Sequence, residues 1–241
     1  MQAHLLESDL VWADPEANIK HFDALIGSLP DADLYVLPEM FTTGFATEPE
    51  GIAEEESSCI GLQWMRSVAR SRNCAVAGSI ALHSGDRYLN RFYFVTPDGE
   101  YHYDKHHLFT YGGEHLHYTP GTEKVTVQWR GVRFRLAVCY DLRFPVWTRN
   151  DDGYDVLIYV ASWPEPRAAA WSALLRARAL ENQCYVIGVN RTGTDPYCVY
   201  GGHSAFIDPY GNDASVIDID TLCAFRAKFP VLKDVDRFEL K

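Results

Sequence analysis

Phe134-Arg-Leu-Ala-Val-Cys139-Tyr-Asp-Leu-Arg143-Phe-Pro145 decides how the rest of this 241-residue chain is read. Phe134, Leu136 and Val138 alternate as in a buried strand, and the strand stops on a cysteine followed at once by a polar, turn-like Tyr-Asp. A strand that breaks in this way leaves its thiol at the carboxyl edge of a sheet, where open α/β sheets bind their ligands. The bland reading of Cys139 is a small core hydrophobe, since free cysteines are often buried. Other strands, however, end in the same manner.

Asp33-Leu-Tyr-Val-Leu-Pro38-Glu39 reads as a short buried strand halted by proline, with a carboxylate just past its end. Tyr101-His-Tyr-Asp-Lys105, the second arm of a hairpin turned at Pro97-Asp-Gly99, ends on a lysine. Glu114 lies in the His- and Gly-rich loop that follows, from His106 to Gly121. Each of these alone is ordinary, because a Glu or Lys at a strand end is usually solvated. Together they make a workable acyl-transfer site. A carboxylate takes the thiol proton as sulfur attacks an acyl carbon, while an ammonium and the backbone N–H after the cysteine hold the developing oxyanion. Two carboxylates and one lysine sum to about −1, which disfavours a standing thiolate and keeps Lys105 charged.

The remaining punctuation gives alternating strands and helices. Asp14-Pro-Glu opens a helix that runs towards Pro30 on Ile19, Phe22, Leu25, Ile26 and Leu29. A second helix spans Gly61 to Asn73 and leads into a strand over 74–82, with another strand over 91–96. Val125–Trp129 and Val132–Val138 flank the hairpin Arg130-Gly131. Asp155–Ala161 is a buried strand ended by Ser162-Trp163-Pro164, Arg167 to Asn182 a helix, and Cys184–Val189 and His203–Asp208 further strands. No linker, repeat or composition shift divides the chain, so one domain over 1–241 is expected, of α/β class with mixed sheets.

Composition bounds the setting. A net charge of −11 argues against nucleic acid or an anionic membrane as partner. No apolar run reaches membrane-spanning length, and the first residues lack a basic-then-apolar leader pattern. The six cysteines, several inside strand-like runs and without a Cys-x-x-Cys pair, fit reduced thiols in the cytoplasm. His102, His106, His107, His115 and His117 contain a His-x-His spacing, but no second cluster matches it, so neither metal nor cofactor is expected.

Leu37-Pro-Glu39-Met-Phe, Tyr103-Asp-Lys105-His-His-Leu-Phe and Val138-Cys139-Tyr-Asp-Leu-Arg-Phe-Pro resemble the Glu, Lys and Cys motifs of the nitrilase (carbon–nitrogen hydrolase) superfamily. Glu114-His-Leu-His-Tyr-Thr-Pro-Gly121 matches that family's second glutamate. The resemblance covers nearly the whole chain and is most specific for the omega-amidases, which hydrolyse 2-oxoglutaramate to 2-oxoglutarate and ammonia. Asp9-Leu-Val-Trp-Ala-Asp-Pro-Glu-Ala-Asn18, Phe144-Pro-Val-Trp-Thr-Arg-Asn150, the run from Glu181 to Asn190, and Phe225-Arg-Ala-Lys-Phe-Pro230 carry that branch likeness.

The resemblance implies a four-layer α-β-β-α sandwich of two mixed sheets covered by helices, pairing into a homodimer through its outer helices. It implies Cys139 as nucleophile, Glu39 as base, Lys105 and the Tyr140 N–H as oxyanion donors, and Glu114 as a second acid orienting Lys105 or the hydrolytic water. A cysteine thioester is the implied intermediate. Other small amides, nitriles and carbamoyl compounds are alternative substrates, and a catalytically silent binding module on the same fold is the alternative of another class. His106 stands where an arginine is common, and the stretches 195–198 and 211–220 are short for the family. Phe41, Tyr111 and Trp163 are candidate pocket walls because each directly follows a reactive edge. Arg143 either clamps a substrate carboxylate or pairs with Asp141 or Glu181. Asp141 is expected to fix the turn after the nucleophile.

Overall fold

The computed structural model describes residues 1–236. Its first half runs β1 (Ala3–Leu5), α1 (Pro15–Ser28), β2 (Leu34–Val36), β3 (Glu54–Glu55), α2 (Ile60–Arg72), β4 (Ala75–Ser84), β5 (Arg87–Val95) and β6 (Glu100–Asp104). These strands form one mixed sheet in the order β1-β2-β4-β5-β6, parallel from β1 to β4 and antiparallel beyond, with β3 beside the far end of β4. α1 starts where its chemistry dictates: Pro15 is its first residue, and the Asp14 carboxylate accepts from the Ala17 N–H at 3.0 Å. α2 stops on Asn73, which takes the left-handed conformation with φ 49°.

The second half runs β7 (Thr126–Trp129), β8 (Val132–Val138), β9 (Val156–Ala161), α3 (Ala168–Asn182), β10 (Tyr185–Asn190), β11 (Thr192–Thr194), β12 (Val199–Gly201), β13 (Ala205–Ile207) and α4 (Ile219–Lys228). Its sheet has the order β13-β10-β9-β8-β7, with parallel β8, β9 and β10 flanked by antiparallel edges. β9 and β10 are buried at every residue, which is why they read as continuous apolar runs and not as alternations. β11 and β12 form a separate two-stranded ribbon.

The layers follow from which face each strand covers. Phe22 and Ile26 of α1 and Met65 and Ala69 of α2 pack with Tyr35, Val76 and Tyr93 on the outside of the first sheet. On its inside, Val36, Ala77 and Phe94 meet Phe134, Leu136 and Val160 of the second sheet, with the Phe94 and Phe134 rings 5.0 Å apart. α3 closes the far side through Trp171, Leu175 and Ala179. The result is the α-β-β-α sandwich of two mixed sheets. Among the described residues no helix is long and apolar enough to cross a membrane.

Several elements differ from the sequence reading. β5 begins at Arg87 and not at residue 91, because the Ser84-Gly-Asp turn pairs Tyr88 with His83 and Asn90 with Ala81. β13 begins at Ala205 because His203 sits at φ 64° and cannot continue a strand. β1 and the ribbon, too short to show periodicity, appear only in three dimensions. The two short stretches close cleanly. Asp195 accepts from the Tyr197 and Cys198 N–H groups at the ribbon's tip, and Asp208 accepts from those of Tyr210 and Asn212.

Gly188 of β10 is where α3 comes closest. A Cβ there would lie 2.5 Å from Leu175 Cδ1 and 3.0 Å from the Trp171 ring. Gly188→Val should therefore push α3 off the sheet and lower stability by about 1–3 kcal/mol, read as a lower denaturant midpoint at unchanged slope. A variant as stable as wild type would show that this approach is not tight.

Candidate active site

Three strand ends converge at the carboxyl edge of the sandwich. Cys139 follows β8 with φ 43°, a left-handed conformation that costs a non-glycine residue roughly 1–2 kcal/mol. Asp141 holds it there. One carboxylate oxygen accepts from the Val138 N–H at 2.9 Å and the Tyr103 hydroxyl at 2.8 Å. The other accepts from the His107 N–H at 3.0 Å and lies 2.8 Å from His107 Nδ1. The turn after the cysteine is thereby tied to β6 and the loop after Lys105, which gives Asp141 the turn-fixing place expected of it.

Lys105 lies at the centre of the site. Its Nζ donates to Glu39 Oε1 at 2.8 Å and to Glu114 Oε1 and Oε2 at 3.1 and 2.9 Å. All three side chains are completely buried. Asn90 of β5 donates through one Nδ2 to Glu39 Oε1 at 2.8 Å and Glu114 Oε1 at 3.1 Å. The Ser162 N–H, just past β9, donates to Glu39 Oε2 at 2.8 Å, so Glu39 joins the two sheets. The Phe109 N–H donates to Glu114 Oε2 at 2.6 Å.

Burial works against the Lys105 cation, but the charges of Glu114 and Glu39 outweigh it and raise its pKa above the usual lysine range. The magnitudes support that outcome: at an effective dielectric of about 20, each contact near 3 Å is worth roughly 5 kcal/mol of attraction. Glu114 is drawn the other way. Burial raises its pKa, Lys105 lowers it, and repulsion from Glu39 raises it again, leaving it above the ordinary carboxylate range. Burial, and then the Glu39 charge, push the Cys139 thiol well above its ordinary value, with Lys105 opposing them. The sulfur is thus a protonated thiol beside a carboxylate. This arrangement suits proton transfer coupled to attack.

Cys139 opens into a cleft walled by Phe45, Phe109, Tyr140, Trp163, Arg143 and Arg167, with Cys198 and Tyr200 of the ribbon at its rim. Of the residues expected at the pocket, Tyr140, Arg143 and Trp163 line it. Phe41 does not. It is fully buried behind the first sheet, against Phe22 and Trp64, because positive φ at Met40 and Gly44 turns the chain so that Phe45 faces the cleft instead. Tyr111 does not either: it is 86% exposed, and Phe109, two residues earlier, takes the wall.

Arg143 pairs with neither Asp141 nor Glu181. Asp141 is occupied as described, Glu181 pairs with Arg178 at 2.9 Å, and the Arg143 guanidinium stacks 4.8 Å above the Trp163 ring. His106 lies outside the cleft, stacked on Trp147 with its Nδ1 2.6 Å from the Gly121 carbonyl. Among the described residues no group of three or more His, Cys, Asp or Glu could hold a metal ion. Asn90 and Arg167 escape the sequence reading. A polar residue after Leu89, immediately before the strand read from residue 91, is the available signal for the first; the second reads only as a helix start.

The carbon–nitrogen hydrolase family model matches residues 2–222. The chain is 46% identical to omega-amidase YafV of Escherichia coli K12, over 98% of this chain and 97% of that protein. It is 34% identical to the 2-oxoglutaramate amidase of Bacillus subtilis, over 95% of each. In structure it is similar to XC1258 from Xanthomonas campestris, a CN-hydrolase superfamily protein carrying an arsenic adduct in its active site, with a TM-score of 0.95 at 39% identity over 100% and 99% of the two chains.

Replacing Lys105 tests the charge balance directly. Lys105→Met leaves Glu39 and Glu114 buried without their cation and should cost about 3–5 kcal/mol at neutral pH. The two acids then bind protons more tightly in the folded than in the unfolded chain, so the deficit should shrink as pH falls through the carboxylate range. Denaturant titrations at several pH values would measure it. A deficit that grows on acidification would contradict the pairing.

Proposed function

Since the chain belongs to the carbon–nitrogen hydrolase family, we propose that its Cys139 site hydrolyses the terminal amide of 2-oxoglutaramate to 2-oxoglutarate and ammonia. The observation that carries this reading is the buried Lys105 ammonium held between Glu39 and Glu114 beside the Cys139 thiol. In the proposed sequence Glu39 takes the thiol proton as sulfur adds to the amide carbon. The Lys105 ammonium and the Tyr140 N–H receive the oxyanion. Collapse breaks the carbon–nitrogen bond, and Glu39 returns the proton to the departing nitrogen, which leaves as ammonia. Water, deprotonated by Glu39, then attacks the thioester and frees the thiol and the acid, while Glu114 keeps Lys105 in register. No step needs a cofactor.

The cleft favours a small acid over a neutral amide. Among its described lining residues there is no Asp or Glu, whereas Arg143 and Arg167 present two guanidinium groups stacked on Trp163 and Phe109. A planar guanidinium receives a carboxylate bidentately, and the pair would repel an α-ammonium, so a 2-oxo acid suits the site better than an amino acid. The six free cysteines support a reducing, cytoplasmic setting. Assembly as a homodimer, following the family pattern, is part of the same proposal.

Ammonia release measured across 2-oxoglutaramate, succinamate, glutamine, a nitrile and an N-carbamoyl amino acid should give the highest kcat/KM for the first. Turnover of the last two alone would refute the substrate. Cys139→Ala should abolish release, and Cys184→Ala, buried away from the cleft, should retain it. Equal losses in two folded variants would contradict the assignment of the nucleophile. Arg143→Gln should raise KM for 2-oxoglutaramate at least about 10-fold while changing kcat less.

A further inference from the structure

Asn90 is buried, and its two hydrogen-bonding ends are treated unequally. Its Nδ2 serves Glu39 Oε1 and Glu114 Oε1, while its Oδ1 has no partner among the described residues. The orientation is dictated by its neighbours, since both groups it faces are acceptors and only the amide hydrogens can meet them. A buried acceptor left without a donor is costly, and the site tolerates it. The consequence falls on Glu39. Oε1 accepts from Lys105 Nζ and Asn90 Nδ2, which uses both of its lone pairs, whereas among the described residues Oε2 accepts only from the Ser162 N–H. Oε2 is therefore the Glu39 oxygen that keeps a lone pair open to a further donor.

We propose that Asn90 is a positioning residue that, together with Lys105, saturates Glu39 Oε1 and so reserves Oε2 for the proton leaving Cys139. The proton passes from Sγ to Oε2 as sulfur bonds the acyl carbon, and from Oε2 to the amide nitrogen as the carbon–nitrogen bond breaks. Asn90 also links the two acids, so that Glu114 fixes the plane of the Glu39 carboxylate through the amide as well as through Lys105. This inference rests on the roles proposed above for Cys139 and Glu39 and adds to them the atom that carries the proton.

Asn90→Leu is nearly isosteric and removes both donors without adding charge. Two readouts on the full chain separate positioning from packing: the rate of Cys139 alkylation by iodoacetamide, followed by peptide mass spectrometry, and the split of kcat against KM for ammonia release. Alkylation and kcat should both fall about 10- to 100-fold, the size of lost hydrogen bonds to charged groups, with KM changed less than about 3-fold. A folded Asn90→Leu whose alkylation and kcat stay within about 2-fold of wild type overturns the proposal.

Should that variant fail to fold, Asn90→Asp supplies the second test. The groups facing position 90 are Glu39, Glu114 and Lys105, with Cys139 beside them. The introduced carboxyl would donate its one O–H to one of the two acids when protonated and repel both when ionised, so alkylation relative to wild type should rise as pH falls from about 8 to about 5.5. A ratio independent of pH overturns the proposal. Alkylation needs no amide substrate, so wild-type protein that alkylates selectively at Cys139 but releases no ammonia from 2-oxoglutaramate counts against the substrate alone.

Discussion

A single ammonium sealed between two carboxylates sets the terms for the rest of this molecule. Removing such a cation from water costs several kcal/mol, and no solvent reaches Lys105 to offset it. Only Glu39 and Glu114 together recover that cost, and each arrives from a different part of the chain. Glu39 comes from the end of β2, Lys105 from the end of β6 and Glu114 from the loop beyond. The Glu39–Ser162 bond then carries the constraint across to the second sheet. A shift of β2 against β6 would separate the charges, and a shift of one sheet over the other would break the Glu39–Ser162 bond.

The same charge balance governs the sulfur. Burial, reinforced by the Glu39 charge and opposed by Lys105, holds Cys139 as a thiol and not as a standing thiolate. A thiol is a poor nucleophile until its proton leaves, and in the mechanism we propose the adjacent carboxylate takes that proton as the bond to carbon forms. On that proposal, reactivity is confined to electrophiles that enter the cleft and meet Glu39 and Cys139 together. The strained φ at Cys139, held by Asp141, aims the side chain into this space.

Much of this is legible along the chain. Cys139, Glu39 and Lys105 stand out because each follows a strand at a sharp break, and strand ends are marked by local signals such as Pro38 or the Tyr-Asp after the cysteine. The helix boundaries are legible for a similar reason: Asp14-Pro15 and Asn73 are local chemistry. What escapes depends on direction rather than position. Phe41 and Phe45, or Phe109 and Tyr111, are equally aromatic and equally near the reactive edge, and the backbone turns at Met40 and Gly44 and over Thr110–Gly112 decide which member of each pair faces the cleft. Arg143 is ambiguous in sequence because pairing with Asp141 or Glu181 is as plausible as an open guanidinium; in the fold, Tyr103, His107 and Arg178 occupy those acids. Asn90 is hidden because its partners are distant in sequence and because, beside Arg91, it reads as the polar start of a strand and not as its interior.

The central claim is that the sulfur of Cys139 carries the acyl group between bond cleavage and hydrolysis. Acid quenching during steady-state turnover of 2-oxoglutaramate, followed by peptide mass spectrometry, measures it directly. The account predicts a hydroxylamine-sensitive mass increment equal to the acyl group on the peptide containing Cys139 and on none of the other five cysteines. Sustained ammonia release with that peptide unmodified, or with the increment on a different cysteine, would contradict it.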